Sequence, residues 1–210
     1  MLDLVLPLHC GGCAAPATRW CETCAAALRP EDDAPHLISP RIDPGVPVFA
    51  LGRYAGPRRN AIVELKEHGR TDLVGPLAHA VAVGIHRLLT WGILDTPLTL
   101  VPAPTRRSSA RKRGGDPVAR LAATATAAHP GIDVSPILRM RLGVRDSVGL
   151  DSAARERNVA GRIRLVKPAP QAEVLLVDDI VTTGATAAES VRVLRAAGAP
   201  VAGVLAIAHA

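Results

Sequence analysis

Aromatic side chains are almost missing: two Trp, one Tyr and one Phe in 210 residues. The core must therefore be built from Leu, Val, Ile and Ala, and nucleic-acid binding by stacking bases on aromatic platforms is disfavoured. No run approaches the roughly 20 apolar residues of a membrane-spanning helix. The first ten residues, MLDLVLPLHC, lack a basic leader, and Asp3 and Pro7 interrupt their apolar run. Neither a secretory signal nor membrane insertion is expected, and a cytoplasmic location, where thiols stay reduced, is the expectation. There is no G-x-x-x-x-G-K-[ST] loop, no internal repeat and no low-complexity tail, which excludes a P-loop nucleotide site and a solenoid. No feature sets an oligomeric state.

What is present suits one α/β domain with a small appendage: 48% of the residues are hydrophobic, enough for one ordinary core. Residues 1–30 hold all four cysteines, 31–46 are rich in Pro and Asp and read as a linker, and 47–210 read as a single α/β unit. Within that unit VPVFALGRY suggests a strand, and NAIVELKEH before Gly69 a short helix with a glycine stop. Residues 72–91 carry Leu77, Val81, Ile85 and Leu88 at helical spacing. PLTLVPAP reads as a strand running into prolines, 117–128 as an Ala-rich helix and 152–160 as an exposed one. The last unit is the clearest: strand 173–177, loop, helix 186–197, Gly198 as a stop, strand 201–208. That is a βαβ unit feeding a parallel sheet, whose ligands sit outside the carboxyl ends of the strands. The loops 102–115 and 178–186 fall there.

The formal net charge is +6, and it is unevenly spread. Residues 105–167 hold 14 Lys+Arg against 5 Asp+Glu, and the rest of the chain 11 against 14. Such a stripe suits phosphates, whether of a small ligand or of a nucleic-acid backbone. A solvated basic face would give the same counts.

Asp178 and Asp179 stand where a buried strand is expected to meet solvent, followed by Thr182, Thr183, Gly184, Ala185 and Thr186. A helix start offers free N–H groups and a partial positive charge, and the small residues form a cradle suited to a phosphate. Adjacent carboxylates suit the vicinal hydroxyls of a ribose. The stretch VLLVDDIVTTGAT resembles the phosphoribosyl-pyrophosphate (PRPP) motif of type I phosphoribosyltransferases. The resemblance implies a type I phosphoribosyltransferase-like parallel sheet flanked by helices. It assigns Asp178 and Asp179 to the ribose hydroxyls and 182–186 to the 5′-phosphate. Pro102, Ala103, Pro104, Thr105 and Arg106 become the pyrophosphate loop, and Mg²⁺ the bridging cation. The implied chemistry is displacement of pyrophosphate at the anomeric carbon, with Arg106, Arg107, Arg111, Lys112 and Arg113 stabilising the departing group. Salvage enzymes for 6-oxopurines carry an acid where Thr182 stands, which disfavours nucleobase salvage.

The cysteines form CxxC-x7-CxxC, as Cys10, Cys13, Cys21 and Cys24. Each pair can place two thiolates on one tetrahedral ion, and a segment this short cannot build its own core, so structural Zn²⁺ is the leading reading. Redox chemistry and unused reduced thiols remain open.

A CxxC…CxxC head joined to a PRPP motif resembles the ComF family of competence-associated proteins. The likeness extends to Tyr54, Lys66 with Gly69 and Arg70, VPAP followed by Arg113 and Gly114, and Arg155, Arg157 and Asn158. Ser147 stands where the family often has Gln, and Gly115 and Asp116 where it often has an aromatic and Asn. Taken alone, Lys66 reads as an exposed helix lysine and Tyr54 as packing; the resemblance places Lys66 with Arg111, Lys112 and Arg113 among the catalytic candidates. It implies transfer of phosphoribosyl from PRPP to an unidentified acceptor, near DNA uptake. The alternatives are a factor that binds single-stranded DNA beside a helicase without catalysis, and a PRPP sensor docked through its zinc knuckle.

Overall fold

The computed structural model describes residues 8–105, 115–141 and 159–210. In chain order these form α1 (Glu22–Leu28), β1 (His36–Ile38), β2 (Val48–Ala50), α2 (Gly56–Glu67), a 3₁₀ turn (Thr71–Leu73) and α3 (Val74–Thr90). Then come β3 (Leu98–Pro102), α4 (Pro117–Thr126), β4 (Ile132–Val134), β5 (Leu138–Met140), β6 (Ile163–Leu165), β7 (Glu173–Val181), α5 (Ala185–Ala196) and β8 (Val201–His209).

Six strands make one mixed sheet in the order β1-β2-β8-β7-β3-β4. Every pairing is parallel except that of the edge strand β1 with β2, while β5 and β6 form a separate antiparallel pair. Successive side chains of a strand face opposite ways, and β7 shows it: Leu175 and Val177 join a core with α2, α3 and α4. Val174 and Leu176 join a second core with α5 and the β5–β6 pair. Strands covered on both faces read as unbroken apolar runs, which is why LTLV and VLLV are legible without alternation.

Helix α3 buries Leu77, Val81, Ile85 and Leu88 against the first core, as their spacing predicts. With the turn before it, the 20-residue stretch Thr71–Thr90 contains an 18-residue window of mean hydropathy 1.3, so by length and composition it is apolar enough to cross a membrane. That departs from the sequence reading. Half of it is buried inside this fold, the pattern of a core helix.

Other departures have physical reasons. Strand β7 does not end at Val177: its ladder with β8 continues through Asp178↔Ala206, Ile180↔Ala208 and Val181↔His209. The two acids therefore lie inside a paired strand, since a long neighbouring strand satisfies their backbone. Helix α2 begins at Gly56, with Pro57 in its first turn, where the missing N–H costs nothing. The stretch 31–46 contains β1, in register with His36↔Ala50, and 39–43 then folds over the loop that follows β7. The exposed helix expected at 152–160 falls almost wholly outside the described residues, as do Ser147, Arg155, Arg157 and Asn158.

Candidate functional site

The carboxyl ends of β3 and β7 lie side by side, in register up to Pro102↔Val177. Beyond that pairing the Ala103 N–H still donates to Val177 O at 2.8 Å, so the VPAP segment is held against the acidic strand. Pro102, Ala103 and Pro104 are buried. The Thr105 hydroxyl donates to Asp116 Oδ2 at 2.8 Å, while Asp116 Oδ1 accepts the N–H groups of Val118 and Ala119 and caps α4. One carboxylate thus anchors both ends of the basic loop. Arg106, Arg107, Arg111, Lys112 and Arg113 lie between these anchors, outside the described residues.

Asp179 lies on the β7 face of Leu175 and Val177, toward α2. Asp179 is buried, and its Oδ2 lies 2.7 Å from Lys66 Nζ. Lys66 is not the exposed helix lysine of its plain reading: its side chain is 28% exposed, and it runs from α2 onto the acidic strand. Asp178 is half-buried, and its Oδ1 accepts the N–H of Asp179 at 2.8 Å. Burial, and then the charge of Asp179, raise the Asp178 carboxyl well above the usual carboxylate range; Lys66 offsets part of this. The two carboxylates are thus unequal, one ion-paired and the other poised toward its neutral form.

After Val181 the chain turns through 182–184 into α5. Gly184 holds φ +85° at the N-cap, and no side chain caps the helix there. The Thr183 hydroxyl makes only a long 3.4 Å contact with the N–H of Ala185. A 12-residue helix thus directs its free first-turn N–H groups beside the acidic strand. Thr182 is exposed, Gly184 buried, and Thr183, Ala185 and Thr186 half-buried. Gly184 is required twice, by its φ and by crowding: a Cβ there would fall 2.3 Å from Ile42 O and 2.9 Å from Pro40 Cβ. The Ile42 N–H donates to Thr183 O at 2.9 Å. This contact was not read from the sequence. An open cleft of about 420 Å³ adjoins it, lined by Ile38 to Arg41, Val181, Thr182, His209 and Ala210.

The sulfurs of Cys10, Cys13, Cys21 and Cys24 all lie within 4.8 Å of one another. Cys13 Sγ and Cys21 Sγ are 3.7 Å apart, close to the edge of about 3.8 Å that a tetrahedron with metal–sulfur bonds of about 2.3 Å requires. Burial alone would push the Cys10 thiol up, but the N–H groups of Cys21, Gly12 and Cys13 aimed at the sulfur bring it down to about 6. Burial and the neighbouring sulfurs push Cys24 up. A thiolate-seeking dication fits this set.

No family model and no curated protein matches this chain.

Proposed function

We propose that the protein binds PRPP at the carboxyl ends of β3 and β7 and transfers its phosphoribosyl group, as the resemblance to type I phosphoribosyltransferases and to the ComF family suggests. One observation carries most of the reading. The acidic pair, the uncapped α5 N-terminus on Gly184 and the VPAP segment meet at the carboxyl ends of the parallel strands β3 and β7, where α/β folds take their ligands.

In this reading the free N–H groups of Thr186 and its neighbours receive the 5′-phosphate, with the Thr182 and Thr183 hydroxyls as further donors. Asp178 and Asp179 accept hydrogen bonds from the ribose hydroxyls. Lys66 orients the Asp179 carboxylate through their 2.7 Å contact, and its charge offsets the acids when a polyanionic ligand arrives. Pro102 to Arg106 hold the pyrophosphate, and Arg111, Lys112 and Arg113 assist its departure. Mg²⁺ would accompany the pyrophosphate and supply charge neutralisation, with Asp178 and Asp179 the carboxylates of the proposed site. Zn²⁺ is the metal proposed for the four cysteines, with a structural task. A 6-oxopurine acceptor is disfavoured, because Thr182 stands where those enzymes carry an acid. A cytoplasmic role beside DNA uptake rests on the family resemblance. So does its non-catalytic form, in which the basic stretch 105–167 binds single-stranded DNA near a helicase.

The test is calorimetric titration of PRPP with Mg²⁺ into wild type and the Asp178→Asn/Asp179→Asn variant, both shown to be folded, with pyrophosphate release followed on the same samples. Binding lost in the variant supports the site. Turnover separates an enzyme from a sensor, and no binding by folded wild type removes the proposal.

A further inference from the structure

The cysteine cluster and the acidic strand are joined by one helix. Near the start of α2, Asn60 Nδ2 donates to Gly12 O at 2.6 Å, inside the first CxxC loop. Just past its end, Arg70 Nη2 donates to His9 O at 3.1 Å and Arg19 O at 3.3 Å, carbonyls one residue before Cys10 and two before Cys21. Asp72 fixes that guanidinium from the other side, with contacts of 2.9 and 2.8 Å to Nε and Nη2. The fully buried Leu73 lies so close to Gly11 that a Cβ there would fall 2.6 Å from Leu73 Cδ1. Between these two attachments α2 carries Lys66, whose Nζ meets Asp179 Oδ2 at 2.7 Å.

We infer that the metal-bound cysteine cluster is the brace that sets Lys66, with Asn60 and Arg70 as the positioning residues that couple it to the acidic strand. The physical reason is that α2 is held at both ends by carbonyls of the cysteine loops. Those carbonyls keep fixed positions only while the loops do. N–H groups of Gly12 and Cys21 point at Cys10 Sγ, both at 3.4 Å, and the N–H of Cys24 points at Cys21 Sγ at 3.5 Å. Four sulfurs gathered this closely, once ionised, repel one another without a dication, and a segment lacking its own core loses order with its metal. Loss of order in the loops releases Asn60 and Arg70, and an ion pair at 2.7 Å does not survive a shift of the helix by about one hydrogen-bond length. The inference uses the proposed PRPP site only for its affinity readout.

The experiment is acetylation of the full chain by an acyl donor, read by mass spectrometry at Lys66 against the exposed Lys167, with hydrogen exchange of the 61–67 amides on the same samples. Zinc-loaded protein is compared with protein treated with a chelator. Expected on metal removal is about a tenfold faster acetylation of Lys66 and loss of protection in α2, while the central β7 and β8 amides stay protected. Unchanged Lys66 and α2 after verified metal loss overturns the inference. If chelation exposes β7 and β8 as well, the Asn60→Ala/Arg70→Ala variant decides. With one zinc still bound per chain, its Lys66 must react faster, and unchanged reactivity overturns the inference. PRPP affinity should fall about tenfold in the same variant. Absence of PRPP binding by wild type, with Lys66 still responding, removes the proposed function and leaves this inference standing.

Discussion

Lys66 Nζ sits 2.7 Å from Asp179 Oδ2, in a pair whose acidic partner is 8% exposed and whose basic partner is 28% exposed. Removing one member of such a pair strands the other charge, whereas replacing both by uncharged groups removes the need for compensation. Lys66→Met is expected to cost about 2–3 kcal/mol, less than for a fully dry pair because Lys66 retains some water. Lys66→Met/Asp179→Asn should recover most of the loss. Urea denaturation of the cycle measures it, and a double variant no more stable than Lys66→Met would show that the pair is not coupled.

Asp178 sets a pH dependence of opposite sign to the usual carboxylate. Its folded value is raised above its unfolded one by burial and by Asp179. The unfolded chain therefore gives up this proton first, and stability falls as pH rises from the unfolded value toward the folded one. Asp178→Asn keeps an oxygen for the Asp179 N–H and carries no charge. At neutral pH it should melt a few degrees above wild type, about what 1 kcal/mol yields at this chain length. The gain should vanish below about pH 4, where the acid is neutral in both states. A gain independent of pH would refute the assignment to this carboxyl.

Gly184→Ala forces a Cβ onto a residue with φ +85° and into the path of Ile42 O. The left-handed backbone alone costs about 1–2 kcal/mol, and the collision adds to it. The 39–43 segment should lift, so the amide of Ile42, now bonded to Thr183 O, is expected to exchange much faster than the central amides of β8. Equal protection in the variant would mean that the turn relaxes without moving its neighbour.

Asp116→Ala removes the cap of α4 and the partner of Thr105 together. A loss of about 1–2 kcal/mol is expected, and Asn at the same position should restore most of it because its side-chain oxygen still caps. In the Asp116→Ala background, Thr105→Val should cost nothing further; a full extra loss would show that the two do not act through one bond.

Much of this architecture is readable from residue patterns. Residues 173–208 show a βαβ unit because a twice-covered strand is apolar throughout and the helix ends on Gly198, which holds φ +83°. The four cysteines announce their cluster because two CxxC pairs with a short gap have few other uses. The cap at Asp116 was not read, although an Asp before Pro117 marks a capped helix start. The short strands β1, β4, β5 and β6 were not legible, since three residues leave no periodicity to detect. The extent of β7 was missed because charge was taken to mark the solvent boundary, while backbone pairing with β8 continues past both acids.

The amino-acid order alone determined which groups exist to do chemistry: two adjacent carboxylates, a small-residue turn before a helix, a basic loop and four thiols. These follow from local chemistry and short spacing, which the chain carries wherever it folds. Only the tertiary structure decided that the carboxylates are unequal, that Lys66 belongs to Asp179, that Pro40 and Ile42 make Gly184 irreplaceable, and that the cysteine loops grip both ends of α2. Those relations join residues tens of positions apart, and they exist because packing around one sheet brings opposite charges and free carbonyls from distant parts of the chain within reach of one another.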